Sequence, residues 1–238
     1  MTNYSVSRVF YASCTAYLRL LNINFRTLAG LRYQNMASLY FTYSAMNAGK
    51  STSLLQVAHN YEERSQRVLL LTPALDTRGG VGQIHSRLGI ARDALTFTNK
   101  TNLFQLISDY LAEGPVDCVL LDEAQFLSEA QVWALARVAD VLNVPVMCYG
   151  IRTDAFGQAF EGSASLLAIA DKLVEMKTIC HCGRKATMSL RVDATGKAVG
   201  SGEQISIGGN DRYVSCCRKH WLQALQEAGV QPSFFDHD

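Results

Sequence analysis

The segment Tyr40-Phe41-Thr42-Tyr43-Ser44-Ala45-Met46-Asn47-Ala48-Gly49-Lys50-Ser51-Thr52 constrains this chain more than any other. It reads as a strand running into a phosphate-binding loop that opens a helix. It meets the pattern G-x-x-x-x-G-K-[ST] at every defined position but the first, where Ser44 stands in place of glycine. Backbone N–H groups in such a loop converge on phosphate oxygens, and the helix N-terminus adds its dipole and its unpaired donors. Lys50 is placed to reach the β- and γ-phosphates, and the Ser51 hydroxyl to ligate Mg²⁺. The expected ligand is a nucleoside triphosphate, and the expected chemistry is phosphoryl transfer or hydrolysis. The competing reading is a chance Gly-Lys-Ser-Thr at an ordinary helix start.

A second motif supports the first. Val116-Asp117-Cys118-Val119-Leu120-Leu121 is an apolar run with the length of a buried parallel strand, and it ends in Asp122-Glu123-Ala124-Gln125-Phe126. An acidic residue at the C-terminal end of a strand beside the phosphate loop is what holds Mg²⁺ in such proteins, and Asp122 fits that role through a water. Glu123 stands one residue further into the crevice where doubly wound sheets bind ligands, and its carboxylate can take a proton from a hydroxyl or from water. Asp-Glu after a strand can also be plain helix capping or dipole matching. The order of the two motifs, about seventy residues apart, favours the nucleotide reading.

The chain has 238 residues, enough for one α/β core plus a small appendage. Apolar residues make up 48% and the net charge is +1, so neither a basic surplus for nucleic acid nor an acidic block for disorder is present. No apolar run in the sequence reaches the length of a membrane span. Residues 1–35 differ from the rest: they hold Arg8, Arg19, Arg26 and Arg32 and no Asp or Glu. Two readings compete, a cleaved or disordered transit-type leader and an over-called start with Met36 as initiator; the nearness of Met36 to the first strand favours the second. The seven cysteines are odd in number and clustered, which argues against a secreted disulfide framework.

Strand-like and helical runs alternate. Expected strands are Leu39 to Tyr43, Gln66 to Thr72, the run to Asp122, Val144 to Tyr149 and Lys172 to Thr178. Expected helices are Ser51 to Arg64, Asn102 to Glu113, Ser128 to Leu142, with Ser128 as N-cap and Trp133 and Leu135 inward, and Phe160 to Ala170. Gly79-Gly80-Val81-Gly82 marks a flexible loop. The alternation implies a parallel α/β sheet covered on both faces, with 36–177 as the main domain. From 178 to about 222 Gly and polar residues rise and strand-like pieces appear at Ala186 to Val192 and Gln204 to Ile207, which predicts a small second domain and then a tail, 223–238.

That small domain is flanked by Cys180-His181-Cys182 and Cys216-Cys217-Arg218-Lys219-His220. Two pairs of soft ligands around a loop of about thirty residues form a structural zinc arrangement. The expected ligands are Cys180, Cys182, Cys217 and His220; Cys216 and His181 compete, each adjoining a proposed ligand. Free buried cysteines or a redox pair are the bland alternatives. Cys118 and Cys148 read as small core residues.

Ile207-Gly208-Gly209-Asn210-Asp211-Arg212-Tyr213, joined to Ser44 to Ser51, to Asp122 to Phe126 and to the Cys/His pairs, resembles thymidine kinases of the cellular, type II class, from about Leu39 to about Leu225. The resemblance implies phosphotransfer from ATP to the 5′-hydroxyl of thymidine, and of deoxyuridine, giving dTMP for nucleotide salvage. It implies a P-loop NTPase-type α/β domain, a structural Zn²⁺ in a small β-rich, lasso-bearing domain, Mg²⁺ with the nucleotide, a homotetramer and a cytoplasmic enzyme, with no nucleic acid or membrane partner. Carried over residue by residue, Ser44 to Ser51 and Asp122 to Gln125, with Ala124 between, face ATP; Glu123 is the catalytic base; Asp122 and Ser51 form the Mg²⁺ shell; and Lys50 stabilises the transferring phosphoryl. Met46 and Phe126 become walls of the nucleoside pocket, and Gln204, Ile205, Ser206, Ile207, Gly208 and Tyr213 the lasso over thymine. Asp76 and Arg78 match a family segment near the phosphates, whereas the 150–157 loop aligns poorly and the role of Arg152 stays open. The alternatives are a zinc-containing P-loop ATPase acting on nucleic acid and a nucleotide-binding regulator without catalysis.

Overall fold

The computed structural model describes residues 36–77, 80–200 and 212–230. Six strands form one sheet: β1 (Leu39–Ser44), β2 (Val68–Pro73), β5 (Leu95–Phe97), β6 (Cys118–Leu121), β7 (Val146–Ile151) and β8 (Lys172–Glu175). Their order is β5-β2-β6-β7-β1-β8, and every neighbouring pair is parallel. Parallel neighbours need crossovers; helices α1 (Lys50–Glu62), α2 (Leu103–Ala112), α3 (Glu129–Leu142) and α4 (Glu161–Ile169) supply all but the one from β2 to β5. The parallel α/β sheet expected from the sequence is therefore present.

Side-chain alternation along the strands explains the two layers. Phe41, Leu69, Leu71, Val119, Leu121, Val146 and Cys148 pack against Leu103 and Ile107 of α2, Val132, Leu135 and Val138 of α3, and Leu166 of α4. Leu70, Cys118, Leu120 and Tyr149 face the other way, onto Leu54, Leu55 and Ala58 of α1. Burial pushes the Cys118 thiol up to about 12 and the Cys148 thiol up further, so both behave as inert small hydrophobes. Helix α3 starts on a full capping box, Ser128 with Gln131.

Several local expectations are corrected. Trp133 does not point inward; it is 52% exposed, because the buried face of α3 runs through Val132, Leu135, Val138 and Ala139 and Trp133 falls outside that stripe. Strand β1 reaches Ser44 and β7 reaches Ile151, each one or two residues further than the sequence suggested. The strand expected over Lys172 to Thr178 is broken into β8 and a separate β9 (Thr178–Ile179). Between Gly82 and Asn102, where the sequence pattern predicts no element, β3 (Gln83–His85) and β4 (Ala91–Asp93) pair antiparallel ahead of β5.

Beyond β8 the chain builds a second apolar core. Strand β9 pairs with β10 (Lys185–Ala186), β11 (Met188–Arg191) pairs with β12 (Tyr213–Cys216), and helix α5 (Arg218–Glu227) closes the unit. Ala186, Met188, Leu190, Val192, Cys216, Trp221 and Leu225 are buried together here. Residues Gln204 to Ile207 lie outside the described residues.

Candidate active site and metal centre

The phosphate loop leaves β1 at Ser44. Asn47 and Gly49 both take left-handed backbone angles, φ 65° and φ 80°, and α1 begins at Lys50. Nothing lies within 4 Å of a side chain built at Gly49, so the glycine serves the backbone turn rather than a close approach. Ser44 shows no positive φ, so the glycine of the generic pattern is not needed at that position. Its hydroxyl instead donates to the Ala45 carbonyl (2.7 Å) and accepts from Lys50 Nζ (3.0 Å), which also reaches the Ala45 carbonyl at 3.1 Å. Lys50 is thus a buried ammonium held over the loop, 8% exposed.

Asp122 follows β6, and the sheet order sets it two strands away from β1. It is buried and accepts the Glu123 backbone N–H at 3.0 Å, with the Ser51 hydroxyl near enough to favour its charged form. Burial pushes its carboxyl well above the usual range and the charge of Glu123 adds to this; Ser51, the Glu123 N–H and Lys50 pull the other way. Glu123 itself sits in the left-handed region, φ 52° and ψ 43°, which costs a residue with a Cβ on the order of 1 kcal/mol or more. The strain turns the chain into a 3₁₀ turn, Ala124–Phe126. Gln125, buried, donates to the Glu123 carboxylate and accepts the Ile151 N–H at 3.1 Å, tying the turn to the end of β7. Phe126 packs edge-on to Phe160, with ring centroids 6.0 Å apart.

Two glycines make room for this turn. A Cβ at Gly150 would stand 2.9 Å from Gln125 Oε1, and one at Gly162 would stand 2.6 Å from both the Ala124 and Leu127 carbonyl oxygens. Alanine is favoured over glycine inside a helix by about 1 kcal/mol, but two main-chain oxygens cannot swing aside. Gly162→Ala is therefore expected to lower the melting temperature by about 2–8 °C, read by thermal denaturation; a rise would show that α4 can slide off the turn.

The other predicted residues divide. Met46 is half-buried, Tyr213 is buried at the start of β12, and the Arg152 guanidinium lies 5.8 Å from the Tyr43 ring centre at the end of β7. Asp76 follows the turn after β2, its N–H bonded to the Pro73 carbonyl at 3.0 Å. Arg78 and Gln204, Ile205, Ser206, Ile207 and Gly208 fall outside the described residues. The motifs gave no sign of the left-handed Glu123, of Gln125 as its partner, or of two serines, Ser189 and Ser215. Ser189 Oγ accepts the Met46 N–H at 3.1 Å, and Ser215 donates to the Met46 carbonyl at 2.5 Å.

In the small core, Cys180, Cys182, Cys217 and His220 bring their ligand atoms within 4.8 Å of one another. Cys180 Sγ and Cys217 Sγ lie 3.3 Å and 3.4 Å from His220 Nδ1, and Cys182 Sγ lies 3.9 Å from Cys217 Sγ. Tetrahedral zinc with ordinary bond lengths places S and N about 3.6 Å apart and two sulfurs about 3.8 Å apart, so the donor set fits that ion. Cys216 is buried in the apolar core instead, its thiol pushed up to about 12 by burial and by Cys180 and Cys217. His181 is exposed and stacks on His220 with ring centres 4.2 Å apart.

Fold and site together define a P-loop nucleotide-binding α/β protein with a small Cys₃His lobe. The chain belongs to the thymidine kinase family, whose model, described as Thymidine kinase, matches residues 37–221. It is 74% identical over 190 residues to the thymidine kinase of Idiomarina loihiensis, covering 80% of this chain and 98% of that protein. It is 57% identical over 196 residues to the thymidine kinase of Ruegeria pomeroyi, covering 82% and 99%. It is 54% identical over 193 residues to that of Yersinia pseudotuberculosis, covering 81% and 98%.

Proposed function

We propose that this chain transfers the γ-phosphoryl group of ATP to the 5′-hydroxyl of thymidine, and less well of deoxyuridine, to give dTMP. The observation that carries the reading is the gathering of Lys50, Ser51, Asp122 and Glu123 at one loop, in a chain of the thymidine kinase family. Residues 44–51 cradle the triphosphate through their N–H groups. Lys50 leaves its contacts with Ser44 and Ala45 for the phosphates and stabilises charge on the transferring group. Glu123, aimed by its left-handed backbone and held by Gln125, accepts the proton of the attacking hydroxyl, while Ala124 and Gln125 complete the ATP-facing wall. Mg²⁺ bound with ATP would be held by the Ser51 hydroxyl and, through water, by Asp122, and supplies charge neutralisation on the phosphate oxygens.

Met46 and Phe126 are proposed as walls of the nucleoside pocket, and Tyr213 with residues 204–208 as the cover over thymine. A cover that meets thymine with backbone donors and acceptors leaves them unpaired against a purine, which discriminates strongly; a missing 5-methyl group is worth only about 1–3 kcal/mol. Asp76, Arg78 and Arg152 are candidates for further contacts with the phosphates. Residues 178–222 form the zinc and lasso domain beside a kinase domain, 36–177, with Zn²⁺ held by Cys180, Cys182, Cys217 and His220 as a folding element. We further infer a cytoplasmic homotetramer acting in nucleotide salvage. Among the described residues no helix is long and apolar enough to cross a membrane.

The test is ADP formation from Mg·ATP with each nucleoside in turn. Release that needs thymidine, with dTMP appearing and purine nucleosides inert, is the expected result. Release without a nucleoside, or only with DNA or RNA, would overturn the kinase reading in favour of a nucleic-acid-dependent ATPase.

A further inference from the structure

The β11–β12 ribbon has two faces. Met188, Leu190 and Cys216 point into the core of the Cys/His lobe. Period-two alternation puts Ser189, Arg191, Tyr213 and Ser215 on the opposite face. Ser189 and Ser215 are direct cross-strand partners, and both reach one residue of the phosphate loop. Their bonds are complementary: Ser189 takes the N–H of Met46, and Ser215 gives its proton to the carbonyl of the same residue. These bonds span 143 and 169 residues of sequence, from the loop to the far lobe. Ser189 is 3% exposed, so its hydroxyl is not a surface group that happens to graze the loop.

We propose that Ser189 and Ser215 are positioning residues for the triphosphate, a two-hydroxyl clasp through which the Cys/His lobe sets the shape of the phosphate loop. The inference rests on residues 44–51 being the triphosphate loop. The electrostatic reason is direct. An anion is attracted by N–H groups and repelled by carbonyl oxygens. A free Met46 peptide could rotate its carbonyl into the cradle. Ser215 captures that oxygen on the lobe side, and Ser189 fixes the preceding peptide plane by its N–H. The donors beyond Met46, where Asn47 and Gly49 take left-handed angles, are thereby left to face the anion.

The experiment compares wild type with Ser189→Ala, Ser215→Ala, the double variant and Ser215→Thr. Direct binding of a fluorescent ATP analogue is measured without nucleoside, alongside KM for ATP, KM for thymidine, metal content and melting temperature. A net hydrogen bond of ordinary strength predicts ATP affinity about fivefold weaker in each alanine variant and about 20- to 30-fold weaker in the double. Ser215→Thr keeps the hydroxyl on a strand that tolerates β-branching, and is expected to restore wild-type ATP affinity. Met46 also borders the proposed nucleoside pocket, so KM for thymidine is expected to rise, but by clearly less than the loss for ATP, while metal content stays at the wild-type level. ATP affinity unchanged in the double variant would overturn the clasp, and so would equal losses for ATP and thymidine, which mark a loosened lobe. The binding arm needs no turnover, so a wild type that binds the analogue but ignores thymidine would sink the kinase reading while the clasp is still decided by its own variants.

Discussion

Glu123→Gln is expected to lower kcat for thymidine by about 10²- to 10⁴-fold, the range a positioned general base contributes. The amide keeps the size of the side chain and a hydrogen bond to Gln125, so the turn and the substrate pocket survive; what it loses is the ability to accept the 5′-hydroxyl proton. KM for ATP and thymidine should therefore change little, the signature of an interaction made only in the transition state. The fold should not suffer, because removing the Glu123 charge also removes one of the pressures that raise the neighbouring Asp122. Steady-state kinetics with a parallel melting curve check this, and a variant with undiminished kcat would defeat the assignment of Glu123 as base.

Stripping the metal should be as damaging by another route. Among the described residues the small lobe has a modest core, nine buried residues, of which Cys180 and Cys217 are themselves candidate ligands. Three thiolates brought together without a cation repel one another, whereas zinc supplies on the order of 10 kcal/mol in small zinc modules. The chain has two tryptophans, and they report different things. Trp221 is 1% exposed in the lobe, with its indole N–H on the Ala155 carbonyl at 3.0 Å, while Trp133 is already 52% exposed. Chelation, or Cys217→Ser, should shift tryptophan emission to the red and reduce thymidine-dependent turnover to a few per cent or less, as loss of a folding metal implies. Cys216→Ser, which alters a buried core thiol, should keep about one zinc per chain, the stoichiometry of a four-ligand site. A metal-free protein with unshifted emission and full activity would refute the zinc assignment.

What the sequence could reveal follows from how local each feature is. The phosphate loop, the Asp-Glu strand end and the Cys/His pairs are contiguous words, so their chemistry is written in neighbouring residues. The parallel sheet was legible because buried strands and crossover helices alternate with distinct periods. The orientation of Trp133 was not, since a bulky apolar residue one position off the buried stripe looks the same in composition. Strands β3, β4 and β5 have three residues each, too short for any alternation to register. The left-handed Glu123 is a backbone state that no residue type announces. Ser189 and Ser215 matter only through partners more than 140 residues away, and serine is too common for its position to stand out.

The strand order carries one more consequence. Strand β7 lies between the strand that launches the phosphate loop and the strand that Asp122 follows. The gap between these two is two inter-strand steps, about 9.6 Å, and it is set by backbone ladders rather than by side chains. The sheet thus acts as a ruler whose gradations are peptide hydrogen bonds. Side-chain drift on the surface cannot rescale it, which leaves sequence free to vary around a fixed span. The cost falls on β7, whose tip must stay bare beside the Ala124–Phe126 turn: Gly150, level with Tyr43 of β1, is the position where any side chain would collide with Gln125.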